Sequence, residues 1–131
     1  MYTEKMSLDN ITELKLRMNR KVIPFSLMDD EHSDNSIEGF VQEMTAKQRD
    51  EYLEEMRKRT KFDEKGKPIG LTDFKEINLP LLSRCLVDKS KKPLNKELIG
   101  SMPAEAQKQL FEVSQLLNGL GQQGEEEAKN D

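Results

Sequence analysis

The chain has 131 residues, the usual size of one domain, with 34% hydrophobic, 35% charged and 5% aromatic positions, so its core must be thin and there is little material for a deep apolar pocket. A net charge of −4 and a pI of about 5.2 argue against a nucleic-acid binder, which needs a basic face. The single cysteine excludes an internal disulfide, no run approaches the roughly 18 apolar residues of a membrane span, and Glu4, Lys5 and Asp9 argue against a signal peptide, so a protein of a reducing, intracellular compartment is expected.

Residues 1–10 read as a flexible leader, and 11–120 as a single domain. Leu14, Leu16 and Met18 alternate with charged residues, the period-two pattern of a half-buried strand. Asn19 and Arg20 suit a tight turn. Val22, Ile23, Phe25 and Leu27 suggest a second strand, which Pro24 confines to a sheet edge. A hairpin is the expectation. Residues 28–38 carry Asp29, Asp30, Glu31, Asp34 and Glu38 with no Lys or Arg, which predicts a solvated loop. Residues 37–44 suit a third short strand or the approach to a helix.

Thr45 followed by Gln48 is a capping-box pattern and predicts a helix to about Arg59. Its apolar stripe is narrow, Tyr52, Leu53 and Met56. Glu54–Lys58 and Glu55–Arg59 are spaced as i,i+4 ion pairs. Residues 61–71, with Gly66, Pro68 and Gly70, read as a loop. Thr72 is placed to cap the next helical segment, whose face of Phe74, Ile77, Leu81, Leu82 and Cys85 should be the densest part of the core. Pro80 interrupts that pattern, and Asn78 is placed to cap a second short helix. Residues 88–93 read as a turn. Asn95 caps a helical turn, and Ser101 with Pro103 opens a last helix along Ala106, Leu110, Val113 and Leu117. Asn118-Gly119 is a helix stop. Residues 121–131 are Gly-, Gln- and Glu-rich and read as a disordered acidic tail. The fold expectation is α+β and mainly α: a small N-terminal β-hairpin or short sheet followed by three to five helices.

The chemistry is mostly absent. His32, the one histidine, sits in the acidic loop at spacings that fit neither an EF-hand nor a zinc site. Cys85 lies on an apolar helix face, where a buried inert thiol is the common outcome. There is no GxSxG, Walker A, GxGxxG or HExxH motif. No catalytic residue, metal site or cofactor is therefore expected. Two basic clusters remain, Arg57, Lys58, Arg59 with Lys61, and Lys89, Lys91, Lys92 with Lys96. Acids accompany both, and cations at a helix C-terminus need no ligand to explain them. On the last helix Phe111 and Leu116 lie off the apolar stripe, so either that helix is buried on two sides or part of it serves a partner.

The segments QEMTAKQRDEYLEEM (42–56) and LLSRCLVDKSKKPLNKELIGSMPAEAQKQLFEVSQLLNGL (81–120) resemble small tail assembly chaperones of long-tailed bacteriophages, of siphovirus or prophage type. The shared features are a Thr-led helix after a strand, a helix ending in Leu-Val-Asp, a Lys-Pro-Leu step, a Pro-Ala-Glu helix start and an Asn-Gly-Leu helix end. The resemblance implies a non-enzymatic protein of the host bacterial cytoplasm, missing from the mature virion. It implies that the protein binds the tape measure protein and keeps it soluble while tail tube protein polymerises around it. Phe111, Leu116 and Leu120 would then be partner-binding residues, helped by adaptable methionines. Self-association is compatible with the same surface; nucleic-acid and membrane partners are not expected. Two other readings share the size and charge: a structural head–tail connector or minor tail component, and a nucleic-acid-binding regulator acting through the basic clusters.

Overall fold

Val22–Leu27 is rich in β-branched and aromatic residues, and in the computed structural model, which describes residues 8–120, it forms strand β1. Its partner is β2, Ile37–Gln42, paired antiparallel in unbroken register from Val22↔Gln42 to Leu27↔Ile37. Helix α1 spans Ala46–Lys58. A second sheet follows, β3 at Thr60–Phe62 with β4 at Pro68–Leu71. Helix α2 spans Leu79–Cys85, and strand β5 follows at once as Leu86–Asp88. The described chain closes with α3, Lys96–Ser101, and α4, Ala104–Leu117. The main sheet has the order β1-β2-β5.

Helix α2 is the centre of the core because its face is apolar without interruption. Leu81, Leu82, Cys85 and, just beyond it, Leu86 have no exposed surface. Each buried Leu contributes about 1.5–3 kcal/mol. Pro80 sits at the first turn, where its missing N–H costs nothing, and so starts the helix rather than breaking it. Around α2 pack α1, α3, α4 and β2. Val41, Met44, Tyr52, Leu94, Ile99, Met102 and Leu110 complete the cluster. In β2 the alternation puts Gly39 and Val41 on one face and Glu38 and Phe40 on the other. Gly39 lies opposite Phe25 and so close to the Val87 carbonyl that no side chain fits there. On the other face Lys89 pairs with Glu38, and the Lys91 ammonium lies 5.7 Å above the Phe40 ring.

The fold class differs from the expectation of a mainly helical chain with a small N-terminal hairpin or short sheet. Among the described residues helix accounts for 41% and strand for 20%, so helices do not dominate, and two sheets extend past the N-terminal third. The third strand of the main sheet, β5, comes from the second half of the chain and pairs with β2 at Val41↔Leu86. It escaped sequence reading because Leu-Val continues the apolar run of α2 with no change of pattern. The expected loop 61–71 is a hairpin. Its turn is built by Asp63, whose carboxylate accepts from the amides of Lys65 and Lys67, and by Gly66 at φ +81. Most of its residues are exposed, so no hydrophobic alternation marks it.

The hairpin expected between residues 14–18 and 22–27 does not form. The partner of β1 is β2, reached through the acidic loop, which contains a short 3-10 turn at Ser33–Asn35. Pro24 does lie in an edge strand. Thr45 and Gln48 form the full capping box, at 3.1 and 3.0 Å. Thr72 caps nothing; its amide and hydroxyl both donate to the Arg59 carbonyl. Phe74 is 70% exposed, outside the core. The α1 ion pairs also differ: Glu54 grips Arg57 through two hydrogen bonds, and Glu55 faces Arg84 at 3.7 Å. The first seven residues of the expected leader and the expected tail lie outside the described residues.

Candidate functional site

The best-organised polar group among the described residues is buried where α1, α2 and α4 meet. It begins with the end of α4. Gly119 takes φ +67, so the Leu120 amide returns to the Gln115 carbonyl at 2.7 Å and the Gly119 amide to Leu116 at 3.2 Å. That double closure is a Schellman motif, and Leu120 packs back on the core as the motif requires. The closure turns the Asn118 side chain inward. Its Oδ1 accepts from the Met44 amide at 2.8 Å, and its Nδ2 donates to the Ser114 carbonyl at 2.8 Å and to Cys85 Sγ at 3.4 Å. Its own carbonyl accepts from Arg49 Nη1 at 3.1 Å. One residue thus ties the exit of β2, the first turns of α1, the end of α2 and the end of α4. Sequence reading found Asn118 only as a helix stop, since nothing local marks the distant Met44 amide as its partner.

Cys85 belongs to this node and gains no reactivity from it. Burial pushes its thiol up to about 11, opposed by its hydrogen bonds with the Ser114 and Asn118 side chains. At neutral pH it is protonated and not nucleophilic. His32 lies in the exposed loop with Nδ1 3.9 Å from the Asp29 carboxylate. That carboxylate is occupied as a turn-former, accepting from the amides of Glu31 and His32. Among the described residues no three His, Cys, Asp or Glu side chains are grouped to hold a metal.

The three candidate partner-binding residues separate. Leu116 is 64% exposed. Phe111 and Leu120 are half-buried and pack against the core. The cause is that α4 packs on both α2 and β2, so side chains off its main stripe are used as well. The basic clusters are partly engaged at home: Arg57 with Glu54, Arg59 with the Lys75 carbonyl, Lys89 with Glu38 and Lys91 on Phe40.

Two open clefts mark the surface. The larger, about 530 Å³, lies between the β1–β2 loop and the α3–α4 junction. Leu27, Ile37, Leu98 and Met102 give it an apolar lining, to which Asp30 and Glu31, both exposed, add charge. The smaller, about 380 Å³, includes Arg59, Arg84 and Lys96. There Arg84 is already committed to the Pro80 carbonyl at 2.7 Å and to Glu55.

No protein-family model, curated protein or solved structure matches the chain. Among the described residues no helix is long and apolar enough to cross a membrane.

Proposed function

We propose that this chain is a non-enzymatic tail assembly chaperone of a long-tailed bacteriophage or prophage, acting in the host bacterial cytoplasm. It binds the tape measure protein during tail morphogenesis and is left out of the mature virion. The observation that carries this reading is the exposed apolar surface on a highly charged chain. Leu53, Phe62, Ile69, Phe74 and Leu116 all present large side chains to solvent. Such scattered, solvated anchors suit weak, repeated contact with a long helical client, while the surrounding charge keeps the pair soluble. The segments that carry the resemblance also correspond to folded elements: the Thr-capped α1 after β2, α2 running into Leu-Val-Asp, and α4 ending at Asn-Gly-Leu.

The geometry selects the variant for the test. Phe111 and Leu120 support the core, so changing them mixes binding with stability. Leu116→Ser changes one exposed side chain. Losing the burial of one Leu at an interface costs about 1.5 kcal/mol, or about tenfold in affinity. Co-expression with a phage tape measure protein should show client solubility that depends on this chain and falls with Leu116→Ser. The thermal midpoint of the isolated variant should not move. Client solubility independent of this chain refutes the reading, and finding the chain by mass spectrometry in purified particles favours a structural tail component instead.

A further inference from the structure

Residues 12–18, TELKLRM, have the sequence pattern of a strand without a sheet to join. Leu14, Leu16 and Met18 are 61%, 85% and 97% exposed. Among the described residues, 12–19 make no hydrogen bond to the rest of the chain, and their one ion pair there, Lys15 with Glu13 at 3.9 Å, is internal. The chain is first held at Arg20 and Lys21. Arg20 Nη1 donates to the Glu43 carbonyl at 3.4 Å and to Gln48 Oε1 at 3.2 Å. The Lys21 amide donates to the Glu43 carboxylate, and its carbonyl accepts from the Glu43 amide. The segment is an arm on a fixed hinge.

Charge indicates what the arm fits. Residues 12–18 carry Lys15 and Arg17 against Glu13, a net +1, ahead of the two cations held at the hinge. Residues 28–38 carry Asp29, Asp30, Glu31, Asp34 and Glu38 with no Lys or Arg, a net −5. This acidic loop lines the 530 Å³ cleft through Asp29, Asp30 and Glu31, beside the apolar Leu27, Ile37, Leu98 and Met102. An extended segment with apolar residues on one face and cations on the other matches that combination.

We propose that the arm of one copy docks in the acidic cleft of a second copy. Leu14, Leu16 and Met18 cover the apolar lining, and Lys15 and Arg17 meet Asp30 and Glu31. The chain's own cleft is the poorer target. To reach it the arm must reverse at residues 19–21 and run back along the roughly 20 Å of β1. A proline is tolerated in an edge strand with its nitrogen outward, so Pro24 leaves an incomplete ladder for such a strand. Exchange between two copies is reciprocal, uses each arm and each cleft once, and closes as a two-fold dimer. The proposal does not depend on the identity of any client.

Sedimentation equilibrium of the full chain across concentration and salt tests it. Wild type should form a dimer that weakens with added salt. An arm-reversed variant, Lys15→Glu with Arg17→Glu, and a cleft-reversed variant, Asp30→Lys with Glu31→Lys, should each raise the dimer Kd at least tenfold. Asp29 is left intact because it shapes the loop. Mixing the two variants should restore a heterodimer, since each arm then meets a cleft of opposite sign. Thermal unfolding of each variant, unchanged from wild type, shows that folding is not the cause. A wild-type monomer at all concentrations overturns the proposal, as does a dimer indifferent to both reversals or a mixture that fails to pair.

Discussion

Asn118→Ala probes the point on which four elements depend. The Met44 amide is buried and its acceptor is the Asn118 side chain. Alanine leaves that amide unsatisfied, at a cost of about 1–3 kcal/mol. The other losses are smaller. The Ser114 carbonyl still receives the Asn118 amide at 3.2 Å, and a thiol is a weak acceptor. A central figure of about 2 kcal/mol corresponds to a fall of roughly 7 °C in Tm, given about 2.1 cal/mol/K of unfolding entropy per residue over a chain of this length. Urea denaturation measures the free energy directly, and an unchanged slope would show that both end states are comparable. Ser114→Ala is the control. Ser114 Oγ donates to the Leu110 carbonyl of its own helix at 2.8 Å and otherwise meets only the Cys85 thiol, a weak partner, so its removal strands no backbone amide and should cost less than about 1 kcal/mol. If Asn118→Ala costs under about 0.5 kcal/mol, or no more than Ser114→Ala, the account of the node is wrong.

Gly39→Ala drives a Cβ into the Val87 backbone carbonyl and the Phe25 ring; overpacking of this kind costs about 1–3 kcal/mol, and calorimetry should show a clear loss of stability. Thr45→Ala removes the capping box of α1 and should cost about 1 kcal/mol in the same measurement, with Thr45→Ser close to wild type. The Cys85 thiol is raised from an ordinary 9.0 to about 11, so between those values the unfolded state loses the proton first and stability falls as pH rises. Tyr52, raised above its ordinary 10.0 chiefly by burial, acts in the same direction at higher pH. Denaturation from pH 8 to 11 should therefore show a decline that Cys85→Ala flattens in part, and a stability profile identical in the two proteins refutes the assignment. The native thiol should also react slowly with alkylating reagents at pH 8, and rapid modification would show that it is not enclosed.

Local chemistry was legible in the sequence, and distant pairing was not. The Thr45–Gln48 box, the Asn95 cap and the Asn-Gly stop are each decided within four residues, so residue type and spacing sufficed. The apolar face of α2 was legible for the same reason, and Pro24 marked the edge strand correctly. Periodicity carries Phe74 onto the α2 face across a break, because the segment before α2 does not continue its helix. Alternation over residues 14–18 suggests a strand because it reports an apolar face, not whether anything covers it.

The sequence by itself determined where helices start and stop and which residues seek burial, because caps, prolines and apolar spacing act within one or two turns. Only the tertiary structure decided that β5 would pair with β2, some 45 residues earlier in the chain, that Phe111 and Leu120 would be drawn to the core while Leu116 stayed in solvent, and that Asn118 would satisfy Met44 across 74 residues of chain. Those outcomes depend on which distant surfaces and unpaired backbone groups meet once the core has closed. No pattern in a short window carries that information.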